Sequence, residues 1–332
     1  MSSGCGGVCQ KQNPSAKPPS CLQIRTRRNR IEKNARKDPA GTMSDPFRSI
    51  APGQRTIQKP SGLEGRGYLT GTAVELNFYP AEPDTGIVFI RTDLPSKPEI
   101  PATIDYVIPR QRRTSIGQDN AVIEMIEHVM AALTGLGIDN CRVEMNAAET
   151  PGCDGSSQAF VEALRRAGIR DQHVPARIWS IDQQITVNEG GMSLTAMPGS
   201  GAAFELNYTL DYANHPIIGQ QVHDFELFEG EFERELSSAR TFVLESEVEQ
   251  LRAAGIGRHC TAQDLLIFGP DGPIENSLRY PNEPVRHKML DVIGDLRLLG
   301  CRIHGRVVAH KSGHSLNAEL VRAILAASGK AG

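Results

Sequence analysis

The 332-residue sequence has no apolar run of about 18 residues or more, which excludes a membrane-spanning helix. Its N-terminus lacks the apolar core, roughly 7–15 residues long, of a secretory signal. Export is therefore not expected, and a cytoplasmic location is. Seven cysteines occur, yet Cys141, Cys153, Cys260 and Cys301 show no CxxC and no paired spacing, so reduced thiols are expected rather than a disulfide framework. Cys5 and Cys9 (CGGVC) have no second pair with which to hold a metal. The HExxH signature of zinc peptidases is missing, which weighs against peptidase chemistry. Aromatic residues are scarce, at 5%, and no repeat relates the two halves of the chain.

What is present divides unevenly. The formal net charge of −3 conceals a basic segment, residues 1–59, with 12 Lys/Arg against Glu32, Asp38 and Asp45. The remaining residues carry 24 basic and 36 acidic side chains. Residues 1–53, rich in Ser, Gly, Pro, Lys and Arg, cannot bury enough apolar surface to offset their ordering entropy. They are expected to form a disordered basic extension, with Met43 as an alternative start. The run Arg25–Lys37 is the one feature suited to nucleic acid or an anionic lipid surface, and a solvated tail is the simpler reading.

From residue 54 apolar runs alternate with turn signals. Ala73–Tyr79, Gly86–Arg91 and Cys141–Asn146 read as strands. Asp119–Gly137 and Ser157–Ala167 read as helices. A second series follows: strands at Arg177–Val187, Ser193–Ala196, Phe204–Leu210, Leu265–Phe268 and Arg302–Ala309, and helices at Glu245–Ala254, Val285–Leu299 and Ser315–Ala327. Strands then helices, twice over, predict an α+β chain of two domains, 54–175 and 176–327, with a short tail at 328–332.

The helix over Val285–Leu299 carries the densest chemistry. Met289, Val292, Ile293, Leu296 and Leu299 form an apolar stripe, while His287, Asp291 and Asp295 recur every fourth residue on the other side. A His and a carboxylate one turn apart can share one Zn²⁺; for that pair alone, a surface ion pair is the alternative. Glu127 and His128 sit in an otherwise apolar run, where an acid beside an imidazole is costly unless paired or ligated. His314 follows Lys311-Ser312-Gly313 at a helix start, a setting expected to weaken its basicity. Together these residues suggest a three-ligand catalytic zinc with an open position, held by His128, His287 and Asp291. Glu127 would serve as general base and His314 as acid toward the leaving group. His304, His310 and His215 are expected to be packing or surface residues, whereas His259 falls in a turn near the site.

Five ordered blocks carry a family resemblance: Ile126–Asn140 (IEHVMAALTGLGIDN), Glu149–Ser156 (ETPGCDGS), Ala239–Phe242 (ARTF), Val285–Leu296 (VRHKMLDVIGDL) and Lys311–Asn317 (KSGHSLN). Together they resemble the zinc-dependent UDP-3-O-acyl-N-acetylglucosamine deacetylases of lipid A biosynthesis, over about residues 54–327. The resemblance implies two similar domains, each a sheet packed on two helices, with the helices sandwiched between the sheets. It implies zinc ligands His128, His287 and Asp291, with iron(II) as the alternative metal. It implies Glu127 as base, His314 as the second catalytic group that protonates the leaving amine or stabilises the oxyanion electrostatically, Asp295 as the residue that hydrogen-bonds that imidazole and keeps it charged, and Thr241 as the hydroxyl that steadies the intermediate. Lys288 and Lys311 match lysines near the nucleotide diphosphate, and Phe242 matches a ring that packs on substrate.

The implied substrate is an acylated UDP-N-acetylglucosamine, and no obligate protein partner is implied. Departures from the family pattern fall at Leu69, where a His is usual, and at Glu124 and Met125, where small hydroxylated residues are. Val243 and the turn Gly257–Thr261 also differ. A paralogue that binds or deacetylates a related acylated nucleotide sugar is the alternative reading.

Overall fold

Alternation of buried and open positions builds the first sheet. Along Ala73–Pro80, Val74, Leu76 and Phe78 turn inward while Ala73 and Glu75 are exposed. That strand sits between Ser61–Arg66 and Cys141–Met145, and the order continues through Ile87–Arg91 to Glu99–Pro101. Its register sets Leu76 opposite Met145 and Phe78 opposite Val143. Ile87–Arg91 (IVFIR) is buried at every position, as an interior strand covered on both faces should be. In the second sheet Arg302–His310 is central, antiparallel to Met192–Met197 and parallel to Phe204–Tyr212. Ile185–Glu189 and Gly219–Glu226 form its edges.

This computed structural model describes residues 52–201 and 203–327. The expectations for residues 1–51 and 328–332, including disorder, the Cys5–Cys9 pair and the Arg25–Lys37 run, lie outside the described residues. Those residues hold six α-helices: α1 (Glu127–Gly135), α2 (Gln158–Ala167), α3 (Glu231–Glu235), α4 (Glu245–Ala253), α5 (Glu283–Leu296) and α6 (His314–Ala327). Helix α2 turns Phe160, Val161, Leu164 and Ala167 inward, packing on strand Ser61–Arg66 and on α1. It stops at Gly168, whose φ of +72° suits a residue without Cβ. Helices α5 and α6 pack on each other and on the second sheet, and α1 packs chiefly on α5. The fold is α+β, with a helical layer between two sheets. None of the described helices is long and apolar enough to cross a membrane.

The helix expected over Asp119–Gly137 is corrected. Ser115–Gln118 and Ala121–Glu124 form a hairpin instead, and α1 begins only at Glu127. The short apolar segment Ala121–Ile126 fits a period of two as readily as a helical one. Asp119, at φ +51°, takes the turn conformation, and Met125, at φ +63°, separates the strand from the helix. Arg177–Val187 likewise divides, into Ile178–Ser180 and Ile185–Glu189.

Candidate metal centre and active site

Helices α1 and α5 cross where their chemistry-bearing residues lie. His128, from the first turn of α1, meets His287 and Asp291, one turn apart on α5. One donor atom from each of the three lies within 4.8 Å of the others. Asp291 Oδ1 stands 3.7 Å from His128 Nε2 and 3.5 Å from His287 Nε2, and the two rings meet edge to face at 5.1 Å. The backbone around these rings is fixed. His287 Nδ1 donates to the Ala239 carbonyl at 3.1 Å, which leaves Nε2 as the acceptor atom. The Ser157 hydroxyl donates to the His128 carbonyl at 2.8 Å.

The donor set fits a divalent cation. Asp291 Oδ1 is buried without a hydrogen-bond partner, a costly state for a carboxylate oxygen unless a cation meets it. Its other oxygen accepts from Lys288 Nζ at 2.7 Å. Burial would raise Asp291, but Lys288 and the surrounding imidazoles hold it well below the usual carboxylate range. Burial and the neighbouring His287 push His128 down to about 3, and burial lowers His287 as well. Two neutral imidazoles and one carboxylate are donors that suit zinc and comparable metals.

Two further ionisable groups face this set. Burial raises Glu127 to about 7, and its Oε2 accepts from the Thr114 backbone N–H at 3.0 Å. His314 Nε2 lies 3.9 Å from Asp291 Oδ2, while its Nδ1 donates to Asp295 Oδ2 at 2.8 Å. The weakened imidazole expected from the placement of His314 beside Lys311 is not found; the shift runs in the direction implied for its pairing with Asp295. Burial alone would lower it, but Asp295, Asp291 and Glu127 prevail and hold it at about 9. Lys311, expected to oppose that charge, instead lies 3.6 Å from Asp211.

Glu127, His128, His287, Asp291 and His314 line one cavity of about 1090 Å³, whereas Asp295 and Thr114 stand behind it. Thr241 and Phe242 form part of its wall. The Thr241 N–H donates to the Gly155 carbonyl at 2.8 Å, and the Phe242 ring packs on Tyr212 and Phe268. Lys288 and Lys311 also reach the cavity, although each ammonium already faces a carboxylate. Val248, Leu251, Ile256, Leu265 and Ile267 add apolar lining to the cavity, and the departures Leu69, Met125 and Val243 line it as well. His259 abuts the Gly71 turn: a Cβ at Gly71 would lie 2.8 Å from its Nδ1.

Several supporting residues escaped the sequence reading. Arg240 is buried, and all three of its guanidinium nitrogens are bonded, to Glu283, Asn276 and the Ser277 carbonyl. This anchors the neighbouring Ala239 carbonyl and Thr241. Thr114 reaches both Glu127 and Asp295, a contact across the hairpin that the expected helix concealed. An ARTF block suggests that its Arg has a task, but not that its partner is Glu283.

A match to the family described as UDP-3-O-acyl N-acetylglycosamine deacetylase runs over residues 54–326. The chain belongs to this deacetylase family. By that membership it is an amide hydrolase. A UDP-3-O-acyl-N-acetylglucosamine deacetylase of Myxococcus xanthus is 39% identical over 82% of this chain and 86% of its own length. One from Anaeromyxobacter is 39% identical over 83% and 90%, and one from Trichormus variabilis 35% over 83% and 99%.

Proposed function

We propose that this deacetylase removes acetate from the 2-amino group of UDP-3-O-(3-hydroxyacyl)-N-acetylglucosamine, in the cytoplasm, as the committed step of lipid A biosynthesis. The observation that carries this reading is the junction of Glu127, His314 and the His128–His287–Asp291 donor set in one cavity. Such an arrangement would provide a base, an acid and a cation site within one cavity. The chain's similarity to curated deacetylases of that substrate supports the choice of acyl sugar.

His128, His287 and Asp291 would hold Zn²⁺, with iron(II) as the alternative. Bound there, the cation supplies Lewis acidity that polarises the amide carbonyl and makes water more acidic. Glu127, as carboxylate, takes a proton from the attacking water. The Thr241 hydroxyl donates to the carbonyl oxygen as negative charge develops on it. His314, as imidazolium, gives a proton to the amine nitrogen as the C–N bond breaks, leaving acetate and the free amine. Asp295 holds the imidazole in orientation through Nδ1. Lys288 and Lys311 would meet the diphosphate, and Phe242 would pack on the substrate.

The test is acetate release from the acylated UDP-sugar after chelation and zinc restoration. Turnover with zinc and none after chelation is the expected result. Fully metallated protein that releases no acetate from this substrate, at any acyl length tried, would refute the reading.

A further inference from the structure

Thr114 uses three of its polar groups on the two halves of the site. Its backbone N–H donates to Glu127 Oε2 at 3.0 Å, and its carbonyl accepts from the Ile126 N–H at 3.1 Å, where α1 is entered. Its hydroxyl donates to Asp295 Oδ1 at 2.5 Å and lies 3.2 Å from His314 Nδ1. The residue is 5% exposed, so water cannot substitute freely for these bonds.

The proton inventory settles the direction of the hydroxyl. An ionised carboxylate only accepts, so the single hydroxyl proton goes to Asp295 and only lone pairs face His314. Asp295 then has three donors: Thr114 at Oδ1, and His314 Nδ1 and Asn317 Nδ2 at Oδ2, both at 2.8 Å. With both oxygens held, the carboxylate cannot rotate, and the imidazole bonded to it keeps Nε2 turned toward the cavity. Thr114 comes from the start of the hairpin 115–124, whereas Asp295 and His314 belong to α5 and α6. It is the described residue that hydrogen-bonds both the Glu127 carboxylate and the Asp295–His314 pair.

We propose that Thr114 is a positioning residue that sets the placement of His314 relative to Glu127, through the hydroxyl on one side and the backbone on the other. This rests on the reading of Glu127 as base and His314 as acid. Only the hydroxyl arm can be removed by substitution.

The experiment compares Thr114→Val, which keeps the shape and backbone but removes the hydroxyl, with Thr114→Ser, which keeps the hydroxyl. Both are measured as zinc-loaded full-length protein. Thr114→Val should lose about tenfold in kcat, with KM and zinc content unchanged, and Thr114→Ser should retain most of the rate. A Thr114→Val protein with the parent kcat overturns the proposal. So does an equal loss in both variants that follows a fall in Tm. Glu127→Gln is run alongside: if it turns over normally, the base assignment fails instead. A readout independent of turnover is the downfield proton resonance of the His314 Nδ1–H. It should shift in Thr114→Val and return in Thr114→Ser, and an unchanged resonance in Thr114→Val also overturns the proposal.

Discussion

Gly294 faces the backbone carbonyl of Glu127 so closely that a Cβ at position 294 would lie 2.2 Å from the carbonyl oxygen. The same Cβ would lie 3.1 Å from the Ala131 nitrogen, so it would meet the α1 backbone, which cannot rotate away. Position 294 is one turn beyond Asp291, and Glu127 precedes His128. The absent side chain therefore sets how near α5 brings His287 and Asp291, its two proposed ligands, to His128.

Gly294→Ala should consequently damage the site more than the helix. Alanine is favoured over glycine inside a helix by about 1 kcal/mol, but forced overpacking costs about 1–3 kcal/mol. The net effect should be a drop in Tm of a few degrees. Displacing the reacting groups by around 1 Å can cost about a hundredfold in rate. Thermal melts beside kcat on zinc-loaded protein check this; a variant with parent activity would show that the two helices tolerate a wider spacing.

The legibility of the site in the sequence follows from where its parts lie along the chain. His287, Asp291 and Asp295 share one helix, so their spacing alone places them on one side. Joining them to His128 and Glu127 from separate elements needed chemistry, since an acid and an imidazole in an apolar run demand a partner. The hairpin 115–124 is not legible in the sequence because a short apolar stretch obeys two periods at once. With it went Thr114, whose partner Asp295 is far away in sequence. Local spacing alone misleads on the basicity of His314, whereas the resemblance, through Asp295, implies the charged imidazole. The near charge, Lys311, is visible in sequence, while the carboxylates that prevail arrive only through folding.

Removing a ligand should remove the metal. His287→Ala takes away an imidazole whose other nitrogen is already fixed by the Ala239 carbonyl, leaving a donor pair. Zinc content by elemental analysis after dialysis should fall far below one per chain while the fold persists. Stoichiometric zinc in the variant would remove His287 from the ligand set. Glu127→Gln, in contrast, should keep its metal and lose about 10²–10⁴-fold in kcat, the usual worth of a positioned base.

Arg240 and Glu283 form a buried ion pair, with Glu283 fully enclosed. Glu283→Ala would strand the guanidinium in a low-polarity setting, at a cost of about 3–5 kcal/mol. Tm should fall by several degrees. Denaturant titration against the parent protein measures the loss, and a variant of unchanged midpoint would mean that the pair contributes little.

The pH dependence of kcat/KM should be bell-shaped, with limbs set by two raised groups. In the proposed role Glu127 acts as carboxylate; burial raises it to about 7 in the metal-free site and a bound cation lowers it, so the rate should rise with pH through an acid limb below that value. In the proposed role His314 acts as imidazolium; it is raised to about 9 in the metal-free site and a bound cation lowers it, so the rate should fall through an alkaline limb below that value. Asp295 is the first of the carboxylates that sustain the charge on His314, against the burial that would lower it. Asp295→Asn should therefore move the alkaline limb to lower pH, and the acid limb in the same direction but by less, since Asp295 hydrogen-bonds His314 and acts on Glu127 only through its charge. The sign follows from the charge: losing an adjacent anion makes the imidazolium easier to deprotonate. A pH–rate profile of zinc-loaded variant and parent decides it. An alkaline limb that stayed in place would show that Asp295 does not sustain the charge on His314.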